Sequence, residues 1–344
     1  MKRWRWVLLV VIALAVVGGA LGWQLYRRVF GPGPRFEAEA RILLIPTGAR
    51  YDQVLDSLKA LDLVPDEALF KQVAERKRLP ARIRPGRYRI PSGMSLNALV
   101  NKLRAGEQDP VRVTFTNIRT LQQLAGVVAR TIEPDSAAMI QALREPATLE
   151  RLGLRSETAI SLYIPNTYEF WWTTSPAQFI ERMAREHARY WNAERKAKAK
   201  ALGLTTEEVA TLASIVQAET AKPDEAPTVA GVYLNRLRIG MPLQADPTLK
   251  FALGMDSISR VLDADKLVDS PYNTYTHAGL PPGPISMPEP RYIDAVLNAP
   301  RHDYLYFCAR ETLDGYSNFA RTYEQHLVNA RRYQRALNER GIYR

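Results

Sequence analysis

A long uncharged run near the amino terminus constrains this chain most. Twenty consecutive residues, Val7–Tyr26, carry no charged side chain (VLLVVIALAVVGGALGWQLY). As an α-helix the run would be roughly 30 Å long, which is the thickness of the hydrocarbon core of a bilayer. Tryptophan and tyrosine residues bracket the run, as interfacial aromatic residues do. We therefore predict that segment 1–30 contains a membrane-spanning helix.

The same run has one alternative interpretation, a cleaved signal peptide. Gly18 and Ala20 are small residues of the kind found near a cleavage site. However, the run is longer than the usual signal core of about 7–15 residues, and no clear cleavage motif follows it. The basic residues before the run favour a cytoplasmic amino terminus, which would place the rest of the chain outside the cytoplasm.

The positive charge of the chain is unevenly distributed. The net charge is +11, and the excess is concentrated in residues 1–30, 181–200 and 321–344. The remainder is slightly acidic, which argues against a nucleic-acid-binding protein. A single cysteine, Cys308, excludes an internal disulfide, and four scattered histidines lack the spacing of metal ligands. We therefore expect neither a metal nor a cofactor.

An internal repeat follows a short Gly-Pro linker, Gly31–Pro34. Ile45-Pro-Thr-Gly48 and Ile90-Pro-Ser-Gly93 lie 45 residues apart, and each is followed by apolar residues at helical spacing. Each copy predicts a strand, a turn and an amphipathic helix, and a weaker third copy begins at Val111. Residues 31–110 should therefore form the linker and a small α+β module. It could bind carbohydrate or a partner, or serve only as a spacer.

Helices are predicted over residues 119–155 and 175–203, and an aromatic run, Tyr163–Trp172, lies between them. Aromatic rings stack on sugars but also fill protein cores. Tyr168 is therefore a candidate substrate-binding residue, with core packing as the alternative.

The helix predicted over residues 205–220 carries the main catalytic candidate. Thr205 and Glu208 form the pattern of a capping box. The apolar positions Val209, Leu212 and Val216 continue at helical spacing to Glu219. A carboxyl on the buried face, near the negative end of the helix dipole, should have a raised pKa and could act as a general acid. The alternative is a structural glutamate paired with an arginine.

Polar residues after this helix are candidates for binding a ligand. Asn235 falls near the end of another predicted helix, and Gln244 and Asp246 follow a Gly-Met-Pro turn. Asp246 could instead cap the next helix. Five prolines exclude a long helix over residues 270–288, where a fixed loop would present Asn273 and Tyr275. This loop could line a groove or be purely structural.

Several of these segments together resemble the YceG-like (MltG) family of endolytic murein transglycosylases. The matching motifs are Leu212-Ala-Ser-Ile-Val-Gln-Ala-Glu-Thr220, Asn235-Arg-Leu237, Met241–Thr248, Tyr272-Asn-Thr-Tyr275, Gly279–Ile285, Asn298-Ala-Pro300 and Tyr304–Phe307. Each motif alone is weak, and their common order and spacing make the resemblance strong. It covers most of the chain, including the anchor and a module similar to LysM.

The resemblance implies a fold and an activity. It implies an α+β protein with a transmembrane helix, a LysM-like module over residues 31–110 and a mixed α/β catalytic domain over residues 111–344. Such a protein sits in the inner membrane with its catalytic domain in the periplasm. It cuts peptidoglycan glycan strands internally, leaves 1,6-anhydro-MurNAc ends, terminates strand elongation and meets peptidoglycan synthases.

The resemblance also implies residue roles. Glu219 matches the catalytic acid/base, while Gln244, Asp246, Asn273 and Tyr275 match positions near the groove. Three residues depart from the family pattern. Asn166 stands where many members have aspartate, Gln217 where some have glutamate, and Ser317 where members often have histidine. The Gln217 departure points to Glu219 as the acid.

Two other functions remain open at this point. Ordinary glycoside hydrolysis needs two carboxyl groups, and Glu219 with Asp246 could supply them. A membrane-anchored scaffold for wall synthesis would instead need no catalytic residue, and the basic carboxy-terminal segment suits that role.

Overall fold

The first helix of the protein is long and apolar. The computed structural model describes residues 2–254 and 262–342. Helix α1 (Lys2–Phe30) contains a stretch, Trp4–Phe30, that is long and apolar enough to cross a membrane. Its large apolar side chains from Trp4 to Tyr26 are exposed, whereas Val29 near its end packs against the core of the first unit. The prediction of an apolar helix at this position is confirmed.

The chain divides into two compact units, and the first contains most of the amino-terminal third. It comprises residues up to Arg112 together with Thr131–Pro134 and Glu169–Thr174. After α1 its elements are β1 (Ala40–Ile45), α2 (Tyr51–Ala60), α3 (Glu67–Arg76), β2 (Gly86–Pro91) and α4 (Leu96–Ala105). Strands β1 and β2 pair antiparallel, with Ile45 opposite Gly86 and Ala40 opposite Pro91. The predicted repeat of strand, turn and helix is confirmed.

The Gly-Pro segment after α1 is fixed to the turn of the second repeat. Gly33 N donates to Gly93 O at 3.1 Å, and Gly93 N donates to Pro34 O at 2.9 Å. A Cβ atom on Gly33 would lie 2.0 Å from Met94 O, so this approach requires glycine. The segment predicted as a linker is therefore hydrogen-bonded to the module.

The second unit comprises three stretches of the chain, Val113–Arg130, Asp135–Tyr168 and Ser175–Arg344. The α-helices and strands after α4 are β3 (Val111–Phe115), α5 (Leu121–Ala129), α6 (Ser136–Leu143), α7 (Pro146–Arg151), β4 (Asn166–Phe170), α8 (Pro176–Tyr190), α9 (Ala193–Ala201), α10 (Thr206–Glu219), α11 (Ala226–Arg238), α12 (Asp246–Ala252), α13 (Pro290–Leu297), β5 (Tyr306–Ala309), β6 (Ser317–Ala320) and α14 (Tyr323–Glu339). They belong to this unit, except for the first two residues of β3 and the last two of β4. Two short sheets pair β3 with β4 and β5 with β6.

Helix α10 is the centre of the second unit. The predicted capping box is confirmed, since Glu208 N donates to Thr205 Oγ1 and Thr205 N donates to Glu208 Oε2. All residues from Val209 to Val216 are buried, where the periodicity predicted burial of one face only. The wider burial arises because α10 packs against α11, α12 and α13, so small and apolar residues face protein on every side.

The aromatic run after α7 contributes to the core. Tyr168 is buried, its ring centroid lies 5.4 Å from that of Phe115, and its hydroxyl donates to Ile164 O at 2.7 Å. Tyr163 stacks on Phe179 with centroids 6.1 Å apart. These contacts satisfy both the apolar ring and the polar end of Tyr168.

Candidate active site

Glu219 is the last residue of α10, and its carboxyl group is partly buried. Tyr233 on α11 donates its hydroxyl to Glu219 Oε1 at 2.9 Å. Burial raises the pKa of the Glu219 carboxyl to about 7, because the charged form loses hydration. The predicted rise in this pKa is therefore confirmed, and near neutral pH the carboxyl can either donate or accept a proton.

Four other side chains shift the pKa of the same carboxyl group, three downward and one upward. The hydrogen bond from Tyr233 and the positive charges of Arg236 and Lys250 lower the pKa of Glu219, whereas the negative charge of Asp246 raises it. Arg236 is buried and donates from Nε to Leu305 O at 2.7 Å and from Nη1 to Leu243 O at 2.6 Å. Arg236 is thus held by backbone carbonyls and not by an ion pair with Glu219.

Asp246 is exposed and lies at the first position of α12. Tyr275 donates its hydroxyl to Asp246 Oδ1 at 2.5 Å. The interpretation of Asp246 as the helix cap is wrong, because Ala245 occupies the capping position and no side chain caps this helix. The left-handed backbone at Gln244, with φ of +52°, turns the chain so that Asp246 enters the helix itself.

The loop that contains Tyr275 is braced against the start of α12. Asn273 is buried, and its amide nitrogen donates to Lys266 O and Val268 O at 2.9 Å each. Thr274 accepts from the backbone nitrogens of Gln244 and Ala245, through its carbonyl and its hydroxyl respectively. This bracing fixes Tyr275 beside Asp246. The Asn273 side chain serves the loop backbone, and the exposed Gln244 side chain lies at the same turn.

The structure places the other two candidate residues elsewhere. Asn235 donates to His302 O at 2.7 Å and to Tyr304 O at 2.9 Å, which ties α11 to the segment before β5. Tyr168 belongs to the packed aromatic group described above. The hydrogen bonds described here join both residues to backbone carbonyls, and a substrate-binding role for Asn235 or Tyr168 stays a prediction.

Sequence reasoning missed two side chains at the site, Tyr233 and Arg236. Tyr233 was not predicted as a site residue. Its signal is nevertheless present, because a tyrosine on a fully buried face needs a partner for its hydroxyl, and a buried carboxyl is the natural one. Arg236 lies within the Asn-Arg-Leu motif, but spacing alone gave no indication that it faces Glu219.

The arrangement provides one proton donor and acceptor, Glu219, near the exposed Asp246 and the tyrosine that donates a hydrogen bond to it. Glu219 can be protonated near neutral pH, Asp246 lies near enough to influence it, and Tyr275 orients Asp246. Over residues 2–254 and 262–342, no three histidine, cysteine, aspartate or glutamate side chains are grouped to hold a metal ion.

The chain is similar to a known protein family and to proteins of known structure. The YceG-like family model matches residues 43–332, which include every residue of this site. The chain belongs to the YceG-like family. A crystal structure of a YceG-like protein from Listeria monocytogenes is 25% identical in sequence, with a TM-score of 0.56 over 84% of this chain and 98% of that one.

Two further relatives of the YceG-like chain are each named endolytic murein transglycosylase. The Bacillus subtilis protein is 28% identical over 312 residues, which cover 86% of this chain and 85% of that protein. The Streptococcus pneumoniae protein is 30% identical, and the match covers 92% of this chain. This chain spans only 63% of the length of the Streptococcus protein.

Proposed function

We propose that this YceG-like protein is an endolytic peptidoglycan lytic transglycosylase in which Glu219 is the single acid/base. One observation carries the proposal: a partly buried carboxyl, with a pKa raised to about 7, is held by Tyr233 at the residue that matches the family's acid/base position. The names of the relatives support the same activity.

The mechanism needs only one titrating carboxyl. Protonated Glu219 donates its proton to the oxygen that links MurNAc to GlcNAc, and the bond from that oxygen to C1 of MurNAc breaks. Positive charge then develops on the sugar ring. The 6-hydroxyl of the same MurNAc attacks C1, and ionised Glu219 accepts the hydroxyl proton. The products are a free GlcNAc hydroxyl and a 1,6-anhydro-MurNAc end, with no water consumed.

The surroundings of Glu219 suit both halves of this cycle. Burial keeps the carboxyl protonated for the first step. Once the proton has left, the hydroxyl of Tyr233 makes a charge-assisted hydrogen bond to the carboxylate, which stabilises the ionised form. The negative charge of Asp246 favours the positive charge that develops on the sugar, and Tyr275 holds Asp246 in place.

Hydrolysis by Glu219 and Asp246 is the second candidate. The specific observation in its favour is that Asp246 lies close enough to raise the pKa of Glu219. A hydrolase would use Asp246 as a base or nucleophile and would produce reducing ends. The hydrogen bond from Tyr275 to Asp246 favours an electrostatic role, because it occupies one of the oxygens that would act.

The remaining parts of the proposal concern location and partners. We infer that α1 spans the inner membrane once and that the second unit lies in the periplasm. Glycan strands are the proposed substrate, and cleavage near the membrane would terminate their elongation by peptidoglycan synthases. A LysM-like glycan-binding role for residues 31–110 is part of the same proposal.

The test is digestion of isolated glycan strands by the full-length protein in detergent, followed by mass spectrometry of the strand ends. Anhydro ends are one water lighter than reducing ends. We expect anhydro ends with the natural protein and none with Glu219→Gln. Reducing ends that disappear in Asp246→Asn would establish the hydrolase. Equal cleavage by Glu219→Gln and the natural protein would reject Glu219 as the acid/base, and no cleavage by the natural protein would favour a scaffold.

A further inference from the structure

One cavity of the second unit lies away from Glu219. Its volume is about 1510 Å³, and it is lined by the start of α10, the second half of α11 and the loops 279–282 and 299–303. None of Glu219, Tyr233, Asp246 and Tyr275 lines it. The cavity is therefore a separate feature from the proposed catalytic site.

Helix α11 stands between the two sites and presents opposite faces to them. Tyr233 and Arg236 lie on the side of α11 that faces Glu219. Gly231, Leu234 and Arg238 line the cavity. Because successive residues of an α-helix are about 100° apart around its axis, these three residues lie on the side opposite Tyr233 and Arg236. Asn235 shares that side, which explains why its amide does not reach Glu219.

The wall formed by the 299–303 loop is fixed by hydrogen bonds. Tyr304 N donates to His302 Nδ1 at 3.1 Å, so the proton of this imidazole lies on Nε2, which contacts Thr228 O at 3.1 Å. Asn235 also donates to His302 O. A Cβ atom on Gly231 would lie 2.4 Å from His302 Nε2, so the ring packs directly on the helix backbone. The cavity is thus a preformed structure.

The charged groups in the cavity differ in whether protein atoms already engage them. Arg155 donates to Pro282 O, Arg238 donates to Asn235 Oδ1, and Glu208 accepts from Thr205 N. The side chains of Arg301, Arg321 and Asp303 also line the cavity and are exposed. Over the described part of the chain, these three side chains make no ion pair and no side-chain hydrogen bond.

We propose that this cavity binds a short peptide that carries carboxylates and an ammonium group, namely the stem peptide that branches from the glycan strand. Arg301 and Arg321 would each pair with a carboxylate, and Asp303 would pair with the ammonium group. The proposal rests on the proposed function, because it makes the cavity a second subsite for the same substrate.

The width of α11 sets the distance that one substrate must bridge to fill both subsites. A helix with its side chains is about 10–12 Å across, and an extended peptide of four residues spans roughly 13–14 Å. The proposal therefore requires the sugar that carries the stem peptide to lie near one end of α11, where the peptide can pass the helix and reach the cavity.

The direct test measures peptide binding without cleavage. A soluble stem peptide is titrated by calorimetry into full-length Glu219→Gln in detergent, and into the same chain with Arg301→Ala and Arg321→Ala. The matched control carries Arg331→Ala and Arg332→Ala, two exposed arginines of α14 that do not line the cavity. We expect the cavity variant to bind about tenfold or more weakly than the parent, since two charge-assisted contacts are lost, and the control to bind as the parent does.

Equal affinity in the cavity variant and the control would overturn the proposal, as would the absence of saturable binding to the parent chain. Acetylation of the amine of the peptide should weaken binding, because Asp303 then loses its partner. Undiminished binding of the acetylated peptide would reject the assignment of a doubly charged ligand.

A second measurement connects the cavity to catalysis. Cleavage rates are compared on strands that carry peptides and on strands stripped by an amidase. We expect the natural protein to prefer peptide-bearing strands, and the cavity variant to lose that preference while its rate on bare strands is unchanged. An equal preference in both proteins contradicts the proposal. Peptide binding without any strand cleavage would reject the proposed function and leave the peptide site intact.

Discussion

The hydrogen bond between Tyr233 and Glu219 allows a quantitative prediction. Tyr233→Phe removes one hydroxyl from a fully buried ring and leaves the shape of the core almost unchanged. A hydrogen bond to a charged group contributes about 1.5–3 kcal/mol. Because one pH unit corresponds to about 1.4 kcal/mol, the pKa of Glu219 should rise by about one to two pH units.

The sign of the change follows from which form the hydroxyl stabilises. Tyr233 donates, so it favours the ionised carboxylate more than the neutral acid. Without this hydrogen bond, Glu219 stays protonated to higher pH. The alkaline limb of the plot of kcat/KM against pH therefore moves to higher pH. The rate constant kcat should fall about tenfold, because the carboxylate formed in the first step is less stable.

The assay counts anhydro ends released from glycan strands between pH 5 and pH 9. The matched control is Tyr292→Phe, because Tyr292 is also buried and its hydroxyl reaches Thr220 O, the carbonyl next to Glu219, at 3.4 Å. That variant should keep the alkaline limb of the natural protein. A fall in rate with Tyr233→Phe at every pH, with the limb unmoved, would show that Tyr233 is only structural and would refute the reasoning.

Three further predictions use other parts of the second unit. Asp246→Asn removes a negative charge that raises the pKa of Glu219, so the alkaline limb should move to lower pH by less than about one unit. The variant should still produce anhydro ends. If the natural protein instead produced reducing ends and this variant did not, the single-carboxyl mechanism would be contradicted. Thr205→Ala removes the side-chain cap of α10 and should lower the free energy of unfolding by about 1 kcal/mol, measured by urea denaturation. Glu219→Gln removes a carboxyl whose pKa is about 7 in the folded protein, against a usual value of 4.5. Because the folded state binds the proton more tightly, this carboxyl stabilises the natural protein below pH 4.5, and the stabilisation is lost as the pH rises through 7. The variant should therefore unfold at a higher temperature than the natural protein at pH 8, with the gap narrowing toward pH 5; an equal gap at both values would show that the raised pKa is not the cause.

Local patterns in the sequence predicted much of the fold. The spacing of Pro and Gly in the 45-residue repeat indicated the two strand-turn-helix copies, because turn chemistry is set by neighbouring residues. The capping box at Thr205 and the burial of Glu219 also follow from residues within one helix. Periodicity underestimated the burial of α10, since the number of helices that pack around it depends on distant segments.

The site itself could be predicted only in part. Glu219 was found because its position on α10 is a local property, whereas its partner Tyr233 is fourteen residues away on another helix. Asp246 was predicted as a binding residue with helix capping as the alternative, because aspartate commonly caps helices. The structure places the cap position one residue earlier, at Ala245, directly after the left-handed backbone of Gln244. Asn235 lies in a family motif, but the rotation of α11 turns it toward the cavity.

The opposite effects of Tyr233 and Asp246 lead to a final prediction for the double variant. Tyr233 stabilises the ionised form of Glu219 and lowers its pKa, whereas the negative charge of Asp246 destabilises that form and raises the pKa. In the variant with Tyr233→Phe and Asp246→Asn, the two changes in the pKa of Glu219 should partly cancel, and the alkaline limb should fall between those of the single variants. The rate constant should not recover in the same way, because both side chains favour the charges that develop during cleavage. Recovery of the pH profile without recovery of kcat would separate the control of protonation from the stabilisation of the transition state. Recovery of both would show instead that protonation of Glu219 alone limits the reaction.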